Sequence, residues 1–220
     1  MRHRVARDGE TTRRQILQAA LKQFAQKGYA GTTIRDILRA ARVTAPVLYY
    51  YFRNKADLYC ALVDLAAEER MRLMREAAAR ADSLVGKLKE ICLALFEFAK
   101  ENVDLMRLAF VTALAAPGEV PKEAHGFEKG WESIQFIQEL LEGGLRRGEL
   151  SARFDGRTLA VGFWGLIHIH VATHLVRPSR PLPLDKRTAE SVVELFIRGA
   201  ASGAEAQCVS GGAKGCETKK

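Results

Sequence analysis

An all-helical fold is predicted for this 220-residue chain, and three observations predict it. Apolar residues recur at spacings of three and four through almost every long segment. No run alternates apolar and polar residues as a half-buried strand would. Thr, Ser, Asn and Asp stand ahead of those segments, with Gly or Pro behind them, as helix starts and stops do. A 48% apolar content with 27% charged residues fits a folded globular chain, and 6 Pro against 18 Gly excludes a collagen-like or Pro-rich one.

The first helix is predicted over Thr11 to Lys27, where Ile16, Ala20 and Phe24, flanked by Leu17 and Leu21, share one stripe. Gly28 ends it. Thr32 and Thr33 offer hydroxyl caps to a second helix through Ile34, Ile37, Leu38 and Ala41, which ends at Arg42-Val43. Thr44 caps a third and Pro46 lies in its first turn, where a missing N–H costs nothing, so this helix runs through Leu48 to Tyr51. Asn54 caps a fourth from about Lys55 past Arg75. Helical stripes then cover Leu84 to Lys100, Val103 to Ala115, Lys122 to Arg146, Gly156 to Val176 and Asp185 to Ala201, with breaks at Asp82-Ser83, Pro117-Gly118 with Pro121, Gly148 to Asp155, and the Pro178, Pro181 and Pro183 cluster. The expected architecture is about nine helices, three short ones in an N-terminal head and six longer ones in a body. Glu205 to Lys220, rich in Gly, Ser, Ala and Lys, is expected to be a flexible tail.

Charge divides the chain along the same line. Residues 1–54 hold eleven basic against three acidic side chains, which accounts for the whole net charge of +8, while the rest of the chain is balanced. Cys60, Cys92, Cys208 and Cys216 form no CxxC pair, which suits neither a zinc finger nor a disulfide framework and points to a reducing, cytoplasmic home. MRHRVARDGE carries positive charge with no apolar segment after it, so no secretory signal is expected. Leu159 to Val176 holds no Asp, Glu, Lys or Arg. Its three histidines, 168, 170 and 174, favour a helix buried between protein partners over a membrane span.

Two short helices joined by a tight turn, crossed by a preceding helix, form the helix-turn-helix arrangement, whose second helix lies in the DNA major groove. Gly28-Tyr29 to Gly31-Thr32-Thr33, Ile34 to Ile37, Ala41-Arg42-Val43-Thr44, Leu48-Tyr49-Tyr50-Tyr51-Phe52 and Asn54-Lys55-Ala56-Asp57-Leu58 together resemble the N-terminal domain of TetR-type (tetracycline-repressor-like) transcriptional regulators. The resemblance covers residues 12–60; the body matches in helical layout and in the Arg147-Gly148-Glu149-Leu150 turn. It implies a DNA-binding surface of Thr33, Arg42, Thr44, Ala45, Pro46, Val47, Tyr49, Tyr50 and Lys55. The threonines, at helix N-termini, and Lys55 suit phosphates, and the first turn of the third helix suits base edges. Leu48 and Phe52, four apart, face the core, while Tyr51 lies between the two faces and is left open.

Two departures from the family pattern stand out. Arg42 occupies the turn position where the family has Gly, so a left-handed backbone there carries a side-chain penalty of ~1 kcal/mol. It is read either as a phosphate contact or as a solvated turn residue. Leu38 replaces a small Ala facing the recognition helix. Arg2, Arg4 and Arg7 precede the first helix as a basic arm, read either as a minor-groove insert or as a source of nonspecific attraction.

For the body, the resemblance implies homodimerisation through the last two long helices and a small-molecule site among the central ones. The dimer candidates are Gly162, Gly165, Ile169 and Ala172 on one helix and Val192, Leu195, Phe196 and Gly199 on the next. The effector candidates are Met106 with Phe110, Trp131 with Gln135, and Trp164 with His168, each pair four apart on a helix face; ordinary core packing is the alternative reading. Such a site would be apolar with few polar anchors, suiting a hydrophobic or aromatic effector. His170 and His174 have metal-ligand spacing but no third ligand, so no metal and no cofactor is expected. No paired nucleophile and base, phosphate loop or metal cluster is recognisable, which argues against an enzyme.

The expectation is therefore a cytoplasmic regulator with a head at residues 1–54, a sensing and dimerising body at 55–204 and a tail at 205–220. Its partners are palindromic operator DNA, a small effector that relieves repression, and a second copy of itself, with no membrane. A DNA-binding activator or a nonspecific DNA-binding protein with the same head is the alternative, and a helical enzyme a more distant one.

Overall fold

The computed structural model describes residues 2–176 and 182–200, and among them every long segment is helical. In chain order the helices are α1 (Arg2–Gly31), α2 (Ile34–Ala41), α3 (Ala45–Tyr51), α4 (Lys55–Ala78), α5 (Leu84–Glu101), α6 (Val103–Leu114), α7 (Gly126–Arg146), α8 (Gly156–Val176) and α9 (Lys186–Ala200), with one 3-10 turn at Lys122–Ala124. The breaks expected at Pro178 and Pro181, the tail at 205–220, Cys208 and Cys216 fall outside the described residues.

Most boundaries follow their capping chemistry. Asn54, Ser83, Asp155 and Asp185 each accept a backbone N–H three residues on, which satisfies a donor that the helix itself leaves open. Two boundaries differ from expectation. Helix α1 begins at Arg2, so helical backbone replaces the expected arm and the head's first helix is the longest of all; residues 2–10 contain no Pro to stop it. It breaks where expected, at Gly28, whose φ of 70° suits a residue without a Cβ. The segment expected as one helix from Lys122 divides at His125, which is left-handed with φ 45°. The next residue must be small, because a Cβ on Gly126 would stand 2.8 Å from Cγ2 of Thr112 on α6.

Helix α4 is the spine. Leu58, Tyr59, Leu62, Val63, Ala66, Ala67 and Met74 are buried along it against α5, α1, α6 and α7, while α8 packs on α7 and α9 on α5. Phe96, Phe163, Ile91, Ile137 and Leu141 are almost wholly buried in the body, and Ile16, Ile37 and Leu48 in the head, each burial contributing about 1.5–3 kcal/mol. Head and body meet in an aromatic cluster: Phe24 and Tyr29 of α1 both lie against the Tyr59 ring, at 5.1 and 5.2 Å between centroids. The Tyr59 hydroxyl is hydrogen-bonded to that of Thr112 at 2.8 Å.

Candidate nucleic-acid interface and effector cavity

The spacing of α3 produces its two faces. Leu48 (0% exposed) and Phe52 (3%) share one side and close the head's core with Ile37, as their four-residue separation predicts. The opposite side stands in water: Tyr49 is 51% exposed, Tyr50 82% and Val47 37%, with Thr44 and Pro46 exposed and Ala45 half-buried beside them. Tyr51, left open by the sequence, is half-buried; its ring meets Tyr50 edge-on at 4.9 Å, and its hydroxyl lies 3.3 Å from where a Cβ on Gly9 would sit.

The N-termini of α2 and α3 differ. Thr33 forms a complete capping box: its hydroxyl accepts from the Asp36 N–H at 3.1 Å and donates to the Asp36 carboxylate at 2.7 Å. Lys27 closes on the same carboxylate at 3.2 Å. The Thr33 hydrogen bonds, first, hold the Asp36 carboxyl down at about 2. The anion expected at this helix N-terminus is thus already supplied by the chain. Thr44 sits at the N-cap position of α3, yet its hydroxyl makes no cap hydrogen bond. Between the two, Arg42 is left-handed at φ 54° and ψ 39°, the strained conformation anticipated for a turn position without Gly, and its N–H donates to the Leu38 carbonyl. Arg35, Arg39 and Arg42 are exposed, and none is ion-paired among the described residues.

Lys55 takes a part that spacing did not foresee. Its Nζ donates to the Tyr29 and Thr32 carbonyls at 2.8 and 2.9 Å and lies 4.2 Å from the centre of the Tyr29 ring. The start of α4 is thereby fastened to the loop after α1, with one of three ammonium donors left over.

Of the effector candidates, four converge. Met106, Phe110, Trp164 and His168 line one cavity of about 130 Å³, with walls completed by Val63, Ala67 and Ile167. The His168 ring lies 4.3 Å from Trp164 and 4.8 Å from Phe110. Trp131 and Gln135 stand outside it. Trp131 stacks on Phe127 and lies under Arg157 at 4.8 Å, and Gln135 is exposed, because both are on the outward side of α7. A residue not foreseen is Arg70, which lines the cavity at only 8% exposure. The signal was legible: Val63, Ala66, Ala67, Arg70, Met71 and Met74 make one apolar stripe on α4, and a lone arginine interrupts it. Burial, foremost, lowers the Arg70 guanidinium to about 10, and burial with the Arg70 charge lowers His168 to about 4. No group of three metal-ligating side chains occurs among the described residues.

The dimer candidates separate into two sets. Gly162, Gly165 and Ile169 of α8 and Leu195 and Gly199 of α9 are exposed, with Ala172 half-buried; a Cβ on any of the three glycines would meet nothing within 4 Å. Val192 is 4% exposed and belongs to the chain's own core, while Phe196 packs on Phe163 at 5.0 Å, because both lie on the side of α9 that faces inward. Helix α8 is long and apolar enough to cross a membrane, and 39% of its most apolar stretch is buried within the chain.

Residues 16–62 match the family model for bacterial regulatory proteins of the tetR family. The chain is 30% identical over 188 residues to the transcriptional regulator AcuR of Cereibacter sphaeroides, covering 74% of this chain and 76% of that one. It is 37% identical over 98 residues to the transcriptional regulator TtgR of Pseudomonas putida, covering 44% and 46%. Among solved structures, the SmeT–triclosan complex shares its fold with a TM-score of 0.73 at 19% identity, over 88% of this chain and 93% of that one. The fatty acid degradation regulator FadR from Bacillus halodurans matches with a TM-score of 0.68 at 25% identity, over 84% and 97%. With an exposed recognition helix in the head and a relative similar along most of both chains, this protein belongs to the tetR family of bacterial DNA-binding transcriptional regulators.

Proposed function

We propose that the protein is a cytoplasmic repressor that binds palindromic operator DNA as a homodimer and is released when a small, largely apolar molecule occupies the body. The head comprises residues 1–54, the body 55–204 and the tail 205–220. Tyr49, Tyr50 and Val47 meet the DNA from the first two turns of α3, where α3 enters the major groove. The unengaged Thr44 hydroxyl, Arg42 and the remaining Lys55 donor take phosphates. Thr33 serves this surface by capping α2. A second copy covers the exposed apolar strip of Gly162, Gly165, Ile169 and Leu195, placing two heads side by side as a palindrome requires.

The observation that carries the release mechanism is the position of Phe110. Its side chain belongs both to the wall of the 130 Å³ cavity and to a groove of about 600 Å³ where α6 and α8 face Phe24 and Tyr29 of α1. A ligand that moves Phe110 therefore acts on the seat of the head, and differential affinity for the two head placements is what release requires. AcuR and TtgR support the regulatory reading, and the triclosan complex of SmeT supports a small-molecule partner on this fold.

Selection of bound sites from random DNA followed by footprinting tests the proposal. A discrete palindrome, weakened by Tyr49→Phe, is expected; uniform protection along the DNA would overturn it. Ile169→Glu with Leu195→Glu is expected to give a monomer by sedimentation and to weaken operator binding. A reporter whose promoter overlaps the selected site is expected to fall silent when the protein is supplied.

A further inference from the structure

A guanidinium is almost never buried without a carboxylate to meet it, because burial strips water from its charge and the chain must return the lost stabilisation. Arg70 is such a case. It is 8% exposed, and among the described residues no Asp or Glu comes within ion-pair distance of it; Glu132, exposed on α7, acts on it only as a more distant charge. The cation near it, Lys129, is itself held by Asp64 at 2.9 Å. Its hydrogen-bond acceptors are neutral: Nε donates to the Ser133 hydroxyl at 2.9 Å and Nη2 to the Lys129 carbonyl at 2.8 Å. These two bonds fix the plane of the guanidinium and leave Nη1 without a hydrogen-bond partner among the described residues. The guanidinium lies over the Trp164 ring at 5.9 Å, and beyond Trp164 stands His168, whose buried Nδ1 makes no hydrogen bond of good geometry, the Trp164 carbonyl one turn back acting on the ring only weakly. Apart from Lys129, whose charge is met by Asp64, the rest of the cavity wall is aliphatic, aromatic or glycine.

We infer that this cavity is a site for a small monocarboxylate with an apolar body, its carboxylate paired with Arg70 and bonded by His168, its body held by Met106, Phe110, Trp164 and Ile167. One buried cation calls for one negative charge, and a carboxylate oxygen accepts from both unpartnered nitrogens, His168 donating as a neutral imidazole protonated on Nδ1. Walls this apolar suit an acid whose remaining atoms are hydrocarbon. A cavity of about 130 Å³ is close to the volume, about 150 Å³, in which an apolar protein cavity holds benzene, so the body is roughly a ring or a short chain. This rests on the proposed effector role of the cavity and adds the charge and size of what fills it.

Calorimetry and thermal melting of the full chain, without DNA, test it with benzoate and hexanoate against their neutral counterparts benzamide and hexanamide. At least one acid is expected to bind and to raise the Tm. Its amide is expected to bind roughly tenfold or more weakly, the factor that a charge-assisted hydrogen bond supplies. Binding of each amide as tight as that of its acid, or of none of the four at millimolar concentration, overturns the inference. Arg70→Met is expected to lose the acid-induced rise in Tm while its own Tm stays level or increases, since an unmatched buried charge has been replaced by an apolar side chain. A purely structural arginine would instead lower the Tm and leave acid binding intact. If Arg70→Met does not fold, Arg70→Lys keeps the charge but loses the fixed fork, and is expected to bind the acid with reduced affinity; equal affinity overturns the role of Arg70. Operator release is read separately. An acid that binds without releasing DNA refutes the release mechanism and leaves the site standing, whereas release by amide and acid alike does the reverse.

Discussion

The head and the body treat positive charge in opposite ways. In the head, Arg35, Arg39 and Arg42 stand in water with no carboxylate attached, which costs nothing because solvent keeps their hydration and leaves them available to a polyanion. In the body, Arg70 is buried against a hydroxyl, a carbonyl and an aromatic face, with Glu132 acting on it only from beyond ion-pair distance. An unpaired cation in water is an ordinary surface residue, whereas the same group in a dry cavity requires something to balance it. The contrast teaches that net charge finds the first kind of site, and that only burial finds the second.

The sharpest way to test the comparison is through pH. His168, held neutral in the body, has its folded pKa near 4, below the ordinary 6.5. The unfolded chain therefore takes up a proton that the folded chain refuses, and stability falls as pH drops from about 6.5 towards 4, by on the order of 2–3 kcal/mol. Denaturant titrations across that range should show the fall, and His168→Phe should flatten it; an unchanged slope in the variant would contradict the buried, neutral imidazole. A smaller effect belongs to the junction. Lys55→Met removes the donor to two carbonyls and is expected to lower stability by about 1–3 kcal/mol, read from the denaturant midpoint.

Within the head, Arg42→Gly relieves a left-handed side-chain residue and is expected to stabilise by about 1 kcal/mol. Its DNA affinity should decline nonetheless, with the salt dependence flattened by about one unit if Arg42 meets a phosphate. The smallest effect is at Asp36. Its carboxyl is depressed to about 2, so its contribution is complete above the ordinary 3.8 and disappears as pH falls towards 2. Acid titration of the wild type against Asp36→Asn should differ only in that low window, well separated from the His168 one.

How far sequence carried can be judged from particular residues. Leu48 and Phe52 were legible as core because a four-residue spacing on a short helix leaves little choice of face, and Thr33 and Asn54 were legible as caps because capping is local. Met106, Phe110, Trp164 and His168 were found by the same spacing, but so were Trp131 and Gln135, which lie outside the cavity. Spacing gives the face of one helix and not what that face meets. Val192 shows the same limit: an apolar stripe on α9 reads alike whether a second copy or the chain's own core covers it.

Residues within a few positions of one another specify most of the helices, the caps at Thr33 and Asn54, the left-handed turn at Arg42 and the concentration of charge before Lys55, so these are legible in the linear chain. Packing alone decides that Lys55 fastens α4 to the carbonyls of Tyr29 and Thr32, that Phe110 serves both cavity and head–body groove, and that no carboxylate among the described residues comes within ion-pair distance of Arg70. Those depend on which side chains share a dry volume after α4, α6, α7 and α8 have packed, and desolvation, which gives them their energy, has no counterpart in a linear chain.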